Sequence, residues 1–211
     1  LTTVVQIDGL GRKVKLAMFA EKTDQNGNTY LGWNVSGVVE YDSKGRTIKE
    51  GQSYFSNTID SISLVNEPLK LHYPTVTQYD SFDRVIKTIL PDESTQKTEY
   101  GIKNGKTYTL VTDPEGNKTK QEKDARENIV SVVRYDKFDK ELTRTDYQYN
   151  VLGEMLEALD AQANPITIEY DMLGRKIVLE SKDSGRKEYI YDEAGNLIEE
   201  TDRKKKKKGV S

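Results

Sequence analysis

The sequence predicts an all-β fold: tandem antiparallel hairpins joined into one curved, continuous sheet. Two observations carry this. A short turn motif recurs along the whole chain, and the residues on either side of it alternate with period two. The composition agrees, with 211 residues, 35% hydrophobic side chains and thirteen tyrosines against four phenylalanines. A tyrosine ring packs on a neighbouring strand while its hydroxyl reaches a polar partner.

The repeat is anchored at Asp8, Asp42, Asp80, Asp136, Asn150, Asp171 and Asp192. One residue before the anchor stands Ile7, Tyr41, Tyr79, Tyr135, Tyr149, Tyr170 or Tyr191. Three after it is Gly11, Gly45, Gly153, Gly174 or Gly195, with Asp83 and Asp139 in the other two copies. Six after it is always aliphatic: Val14, Ile48, Ile86, Leu142, Leu156, Ile177 and Ile198. An aspartate side chain accepts from backbone N–H groups just ahead of it, and a glycine three later supplies positive φ, so each unit reads as strand, turn, strand. The Asp and Gly positions set the register at each tip. The Tyr and aliphatic positions are expected to form the buried face, that is Tyr41, Ile48, Tyr79, Ile86, Tyr135, Leu142, Tyr149, Leu156, Tyr170, Ile177, Tyr191 and Ile198.

Weaker copies at Asp24, Asp113, Asp124 and Asp160 fill the gaps, and Glu127 takes the glycine position in one of them. Tips about eleven residues apart leave strands of about seven, roughly 23 Å long. Residues 1–202 are thus one repeat region. Its exception is an insert at about 52–75, expected to be a loop or short helix. Residues 203–211 read as a basic, disordered tail, because a run of like charges offers nothing a sheet can bury. That tail distorts the net charge of -3: without the six cations of Arg203–Lys208, 26 basic residues face 35 acidic ones, a net of -9.

Several chemistries are excluded or disfavoured. With no cysteine and one histidine, the chain cannot build thiolate sites or multi-imidazole zinc sites. No apolar run is long enough for a membrane-spanning helix, and no cofactor or metal is expected. Gly9-Leu-Gly11 lacks the third glycine of a dinucleotide loop, and Gly101-Ile-Lys-Asn-Gly105-Lys106-Thr107 is one residue short of a phosphate loop; both read as turns. Asp24, Asn26 and Asn28 alternate as calcium ligands do, but the twelfth position is Val35. Glu199/Glu200 and Asp92/Glu93 read as solvated edges, and His72, without a nucleophile elbow, as a loop or packing residue. The lysine tail has no interleaved aromatic residue, so no nucleic-acid partner is expected.

YDSKGRTIKEG (41–51), YDSFDRVIKTILPDES (79–94), YDMLGRKI (170–177) and YDEAGNLIEETD (191–202) carry the Tyr-Asp-x-x-Gly-Arg pattern of YD repeats. From DGLGR at 8–12 through residue 202 the chain resembles the Rhs or YD-repeat family, and in particular the repeat region of Tc-toxin B and C components. The resemblance implies a strip of hairpins forming part of a hollow β-cage. It also implies a secreted or cell-surface bacterial protein, and a non-enzymatic role in enclosing and delivering a cytotoxic C-terminal domain. The partners it implies are further YD repeats of the same or a partner chain and the enclosed toxin domain. The alternative within the same family is a surface adhesion module whose partners are cell-surface glycans. The family's cage-closing self-cleavage motif has no full counterpart here; DPEG at 113–116 is too short a fragment of it.

Overall fold

A computed structural model describes residues 2–203 and is nearly all antiparallel β-structure. The basic residues 204–211, read above as a disordered tail, lie outside the described residues, whereas Arg203 closes the last strand. The chain divides into two compact units, Leu1–Lys97 and Thr98–Ser211.

In the first unit, β1 (Thr3–Ile7), β2 (Lys13–Thr23), β3 (Thr29–Ser36) and, further along the chain, β6 (Tyr54–Ser56) form a four-stranded sheet in the order β1-β2-β3-β6. Strands β4 (Val39–Tyr41) and β5 (Thr47–Glu50) precede β6, and β7 (Thr75–Tyr79), β8 (Val85–Ile89) and β9 (Thr95–Lys103) follow it; these five belong to a second, longer sheet. The long strip therefore begins at β4, and the first three strands make a sheet of their own. The insert holds one short helix, α1 (Ser61–Asn66), capped by Asp60, whose carboxylate accepts from the Ser63 N–H at 2.7 Å.

Among the described residues a concentrated core is built by Ala17, Trp33 and Val35 of this sheet, Val38 just after β3 and Leu64 of the insert, with Phe19, Tyr54 and Leu71 packed against it. Lys15 is 1% exposed and donates its Nζ proton to the Leu64 carbonyl at 2.7 Å, and the Trp33 indole donates to the Ile59 carbonyl at 3.3 Å. These two bonds hold the insert on the sheet. A buried ammonium persists only with such a partner; burial lowers the Lys15 pKa, and the Glu67 carboxylate opposes that shift.

The second unit continues the ladder through β10 (Lys106–Thr112), β11 (Lys118–Lys123), β12 (Ile129–Tyr135), β13 (Glu141–Tyr149), β14 (Met155–Asp160), β15 (Pro165–Tyr170), β16 (Lys176–Ser181), β17 (Gly185–Tyr191) and β18 (Leu197–Arg203), each pairing with its sequence neighbour. The segment set aside as a false phosphate loop is the β9–β10 hairpin, closed by Asn104 (φ 52) and Gly105 (φ 72), the signature of a two-residue I′ turn. Behind it the Tyr108 ring lies over Gly101, where a Cβ would stand 2.5 Å from the ring carbons, so this glycine makes room for the aromatic.

The two faces of this unit differ. Cross-strand partners share a face. The row Leu110, Lys120, Val133, Arg144 lies on a face laced with ion pairs, Lys120–Glu122 at 2.5 Å and Arg186–Glu188 at 2.9 Å among them. The row Tyr147, Ala158, Ile166 lies on the other, which carries Val132, Ile168, Leu179 and Tyr189 together with the Lys187–Glu200 ion pair at 2.9 Å.

The expected buried face needs correction. The anchor-adjacent tyrosines Tyr41, Tyr79, Tyr135, Tyr149, Tyr170 and Tyr191 are half-buried, as are Ile48 and Ile177. Ile86, Leu142, Leu156 and Ile198 are exposed, Leu142 at 55% and Ile198 at 63%. The buried positions of the second unit are instead Ser131, Val133, Ala158 and Val178. Within this unit each strand packs against its sequence neighbours, so burial falls to small mid-strand residues that the long side chains of adjacent strands cover. Val133→Ala should therefore cost about 1.5–3 kcal/mol, and Leu142→Ala no more than about 0.5 kcal/mol; urea unfolding of the two variants checks the order.

Candidate functional site

The repeated feature of this chain is its hairpin tip, and Asp42 shows how one is built. The Asp42 N–H donates to the Arg46 carbonyl at 2.9 Å, and the Gly45 N–H donates back to the Asp42 carbonyl at 3.0 Å. One carboxylate oxygen accepts from the N–H groups of Lys44 (2.9 Å) and Arg46 (3.0 Å), while the other accepts the Arg46 guanidinium through Nε at 2.7 Å. Gly45 sits at φ 85, and the register shifts by one residue between Glu40 and Tyr41. This is a three-residue loop with a glycine bulge, which fixes register and adds twist. The same set of bonds recurs at Asp8 with Arg12, Asp80 with Arg84 and Asp171 with Arg175.

The partner four residues on varies by rule. Asn28, Asn117, Asn128, Asn164 and Asn196 donate a side-chain amide to Asp24, Asp113, Asp124, Asp160 and Asp192 at 2.9–3.1 Å. At Asn150 the polarity reverses: the anchor amide donates, and Glu154 accepts at 2.5 Å. Among the described residues the Asp136 carboxylate accepts two backbone bonds, from Phe138 and Lys140. These bonds hold four of the carboxyls below their usual range: Asp8 and Asp171 chiefly through the backbone N–H of Arg12 and of Arg175, Asp24 and Asp192 chiefly through the side-chain amides of Asn28 and Asn196.

Where glycine is missing the backbone is still left-handed: Asp83 at φ 64, Glu127 at 65, Asp139 at 65 and Ala163 at 56. Such a conformation costs an ordinary residue roughly 1–2 kcal/mol. Three of the four carry a carboxylate that finds a cation. Asp83 pairs with Lys44 and Arg46, Asp139 with Lys118, and Glu127 with Lys123. Two further turns carry no motif at all: Leu90–Ser94, with Glu93 at φ 69, and the Ser181–Gly185 turn, with Gly185 at φ 78.

Tips are linked to one another along the sheet edge, and here the tyrosine has its role. The hydroxyl of Tyr41 donates to the Lys13 carbonyl, Tyr79 to Thr47, Tyr149 to Ile129, Tyr170 to Met155 and Tyr191 to Lys176, all between 2.8 and 3.1 Å. Each acceptor lies five residues after an earlier anchor; for Tyr79, Tyr149, Tyr170 and Tyr191 that anchor is the preceding tip on the same edge of the long sheet, whereas Tyr41 reaches the Asp8 tip of the four-stranded sheet. The arginine of that earlier tip, where there is one, covers the tyrosine ring: Arg12 over Tyr41 at 4.4 Å, Arg46 over Tyr79 at 4.7 Å and Arg175 over Tyr191 at 4.9 Å. Arg46 and Arg175 then donate to the Asp80 and Asp192 carbonyls at 3.2 Å. The Tyr-Asp-x-x-Gly-Arg spacing thus has a cause. Asp holds its own turn and its own Arg, and that Arg and the bulge beside it receive the next Tyr.

The other sequence candidates fall into this lattice or outside any site. The Asp24 carboxylate is already occupied by Asn26, Asn28 and Tyr30, and Asp92 by Ser94. Glu199 and Glu200 are successive residues of β18 and so face opposite sides. His72 lies in the insert with its ring 4.2 Å from that of Tyr54. Among the described residues no cluster of three His, Cys, Asp or Glu side chains could hold a metal ion, and no helix is long and apolar enough to cross a membrane.

No protein-family model matches the chain, and no curated protein matches it in sequence. Solved structures do. The crystal structure of TcdB2-TccC3 with Cdc42 aligns over 95% of this chain at 22% identity with a TM-score of 0.67, and that of TcdB2-TccC3 without its hypervariable C-terminal region at 23% identity and 0.66. A Photorhabdus luminescens Tc holotoxin pore aligns over 98% at 19% identity and 0.52. The chain spans only 11–12% of the length of these chains. Its fold is the one found in that stretch of Tc toxin components, which is the resemblance carried by the tip motifs.

Proposed function

We propose that this chain is a length of wall in a bacterial toxin shell of the YD-repeat kind, secreted or displayed at the cell surface. In this reading it catalyses nothing. It helps to enclose and deliver a cytotoxic domain carried C-terminal to the repeats or by a partner component. The observation that carries the reading is the tip-to-tip linkage: five tyrosines each reach the carbonyl beside the bulge of an earlier tip, a contact that can extend a sheet by repetition. A paired single layer has few free edges, and it separates one side from the other by backbone hydrogen bonds alone. The likeness to Tc toxin components supports the same reading.

One observation favours a second reading, an adhesion module that meets cell-surface glycans or proteins through its tips. Leu10, Phe82, Phe138, Leu152, Met172 and Leu173 stand almost fully exposed at the turns. Sequencing the reading frame on both sides of residues 1 and 211 separates the two. The shell reading expects many further Tyr-Asp tips and then a domain of unrelated composition. A frame that instead ends within a few hairpins, or runs into a receptor-binding or anchoring unit, leaves too little strip to enclose anything and overturns it.

A further inference from the structure

Strand β6 is the terminal strand of the four-stranded sheet, and beside it runs a groove of about 530 Å³ bordered by Tyr54, Phe55 and Ser56 on one side and by the insert segment 67–72 on the other. Its polar and apolar groups converge. Pro68 and Leu69 are apolar, and the Glu67 carboxylate is held by the Thr58 hydroxyl. The His72 Nε2 atom is buried with no hydrogen-bond partner among the described residues. A buried polar atom without a partner is uncommon and calls for one.

The backbone of β6 supplies the second observation. Ser56 presses its carbonyl oxygen toward Gly32 on β3, so closely that any Cβ at position 32 would collide with it. In an antiparallel pair successive residues turn their amide groups alternately toward and away from the partner strand. With Trp33 opposite Ser56 and Val35 opposite Tyr54, the residue between, Phe55, turns its N–H and C=O away from β3, to the side where the sheet has no further strand. β6 itself holds no proline, no charge and no bulge, and the insert closes the groove only at its Tyr54 end, where the Gln52 N–H donates to the His72 carbonyl at 2.7 Å.

We propose that the β6 groove is a recognition site for an extended peptide, which adds a strand to this sheet by pairing with the outward N–H and C=O of Phe55 and rests its side chains on Leu69, Pro68 and His72. Main-chain pairing supplies the affinity in such sites, and pockets for alternate side chains supply the selectivity. An apolar side chain on the peptide covers Leu69 and Pro68, which line the groove. The site is independent of the shell reading, because it needs neither an enclosed domain nor further repeats.

The test uses the full chain and a phage-displayed library of random heptapeptides. Enriched peptides are synthesised and titrated by NMR against the wild type, Leu69→Arg and Phe55→Pro. Leu69 is 43% exposed, and a proline at an edge position whose N–H points outward leaves the existing ladder intact, so both variants should fold. Unchanged emission from the single tryptophan, Trp33, checks that. The expected result is a saturable shift of the Phe55 amide in the wild type, with affinity at least tenfold weaker in both variants. Peptides that bind all three chains equally, or a library that yields none enriched over the Leu69→Arg chain, overturn the proposal. So does concentration-dependent dimerisation abolished by Phe55→Pro, which would give the edge to a second copy.

Discussion

Trp33→Ala should remove most of the stability of the first unit. The side chain is 2% exposed, meets Phe19 edge-on at 5.1 Å between ring centroids, and donates to the Ile59 carbonyl. Truncating a buried tryptophan costs about 3–5 kcal/mol, from lost burial and from the cavity left behind. The Ile59 carbonyl also loses its donor, which loosens the insert. For a unit of this size each kcal/mol lowers the melting temperature by roughly 4–8 °C, so a fall well beyond 10 °C is expected. Hydrogen exchange reads it locally: amides of β2, β3 and β6 should lose protection, and α1 should exchange freely. If Trp33→Ala keeps their protection within tenfold of the wild type, this cluster is not the core of the unit.

The second large effect is acid unfolding. Asp8, Asp24, Asp124, Asp160, Asp171 and Asp192 all have carboxyls held below their ordinary value by hydrogen bonds that exist only in the folded tip. The unfolded chain, with carboxyl pKa values of about 3.9, therefore binds more protons than the folded one in the range below that value. Stability from these groups is complete above about pH 5 and is lost as the pH falls through the folded pKa values. Because the tips are linked, the loss should be cooperative rather than tip by tip. The denaturant midpoint should thus be flat from pH 7 to about pH 5 and drop steeply below about pH 4. The Asn150 tip already works with a neutral anchor, so Asp192→Asn, with Asn196 turning its amide, should shallow the drop. An unchanged midpoint at pH 2.5 would show that the tip carboxylates do not hold the strip.

The elements legible in the sequence are those whose causes are local. Aspartate at the anchor and a left-handed residue three later specify a turn within five residues, so even Asp83, Glu127 and Asp139 could be read as turns. The Leu90 tip was not legible, because its first residue carries no acceptor and Asp92 takes over part of that work within the turn. The tyrosine latch was legible only as a residue. Its acceptor belongs to an earlier tip, and which tips share an edge follows from counting strands, not from spacing. The burial error has the same root: period two shows that strand faces differ, yet which face is covered depends on neighbours two strands away. The separate sheet of β1, β2, β3 and β6 rests on a long-range pairing from β3 into the insert, Trp33 with Ser56, for which no local signal exists.

The shell reading is tested most directly on the protein expressed from its complete reading frame, by limited proteolysis at neutral pH followed by mass mapping. The account predicts that the domain beyond the repeats resists cleavage while the strip is intact, and becomes cleavable once acid below about pH 4 or denaturant opens the tips. Cleavage of that domain at the same rate with the repeats folded, unfolded or removed would show that they enclose nothing.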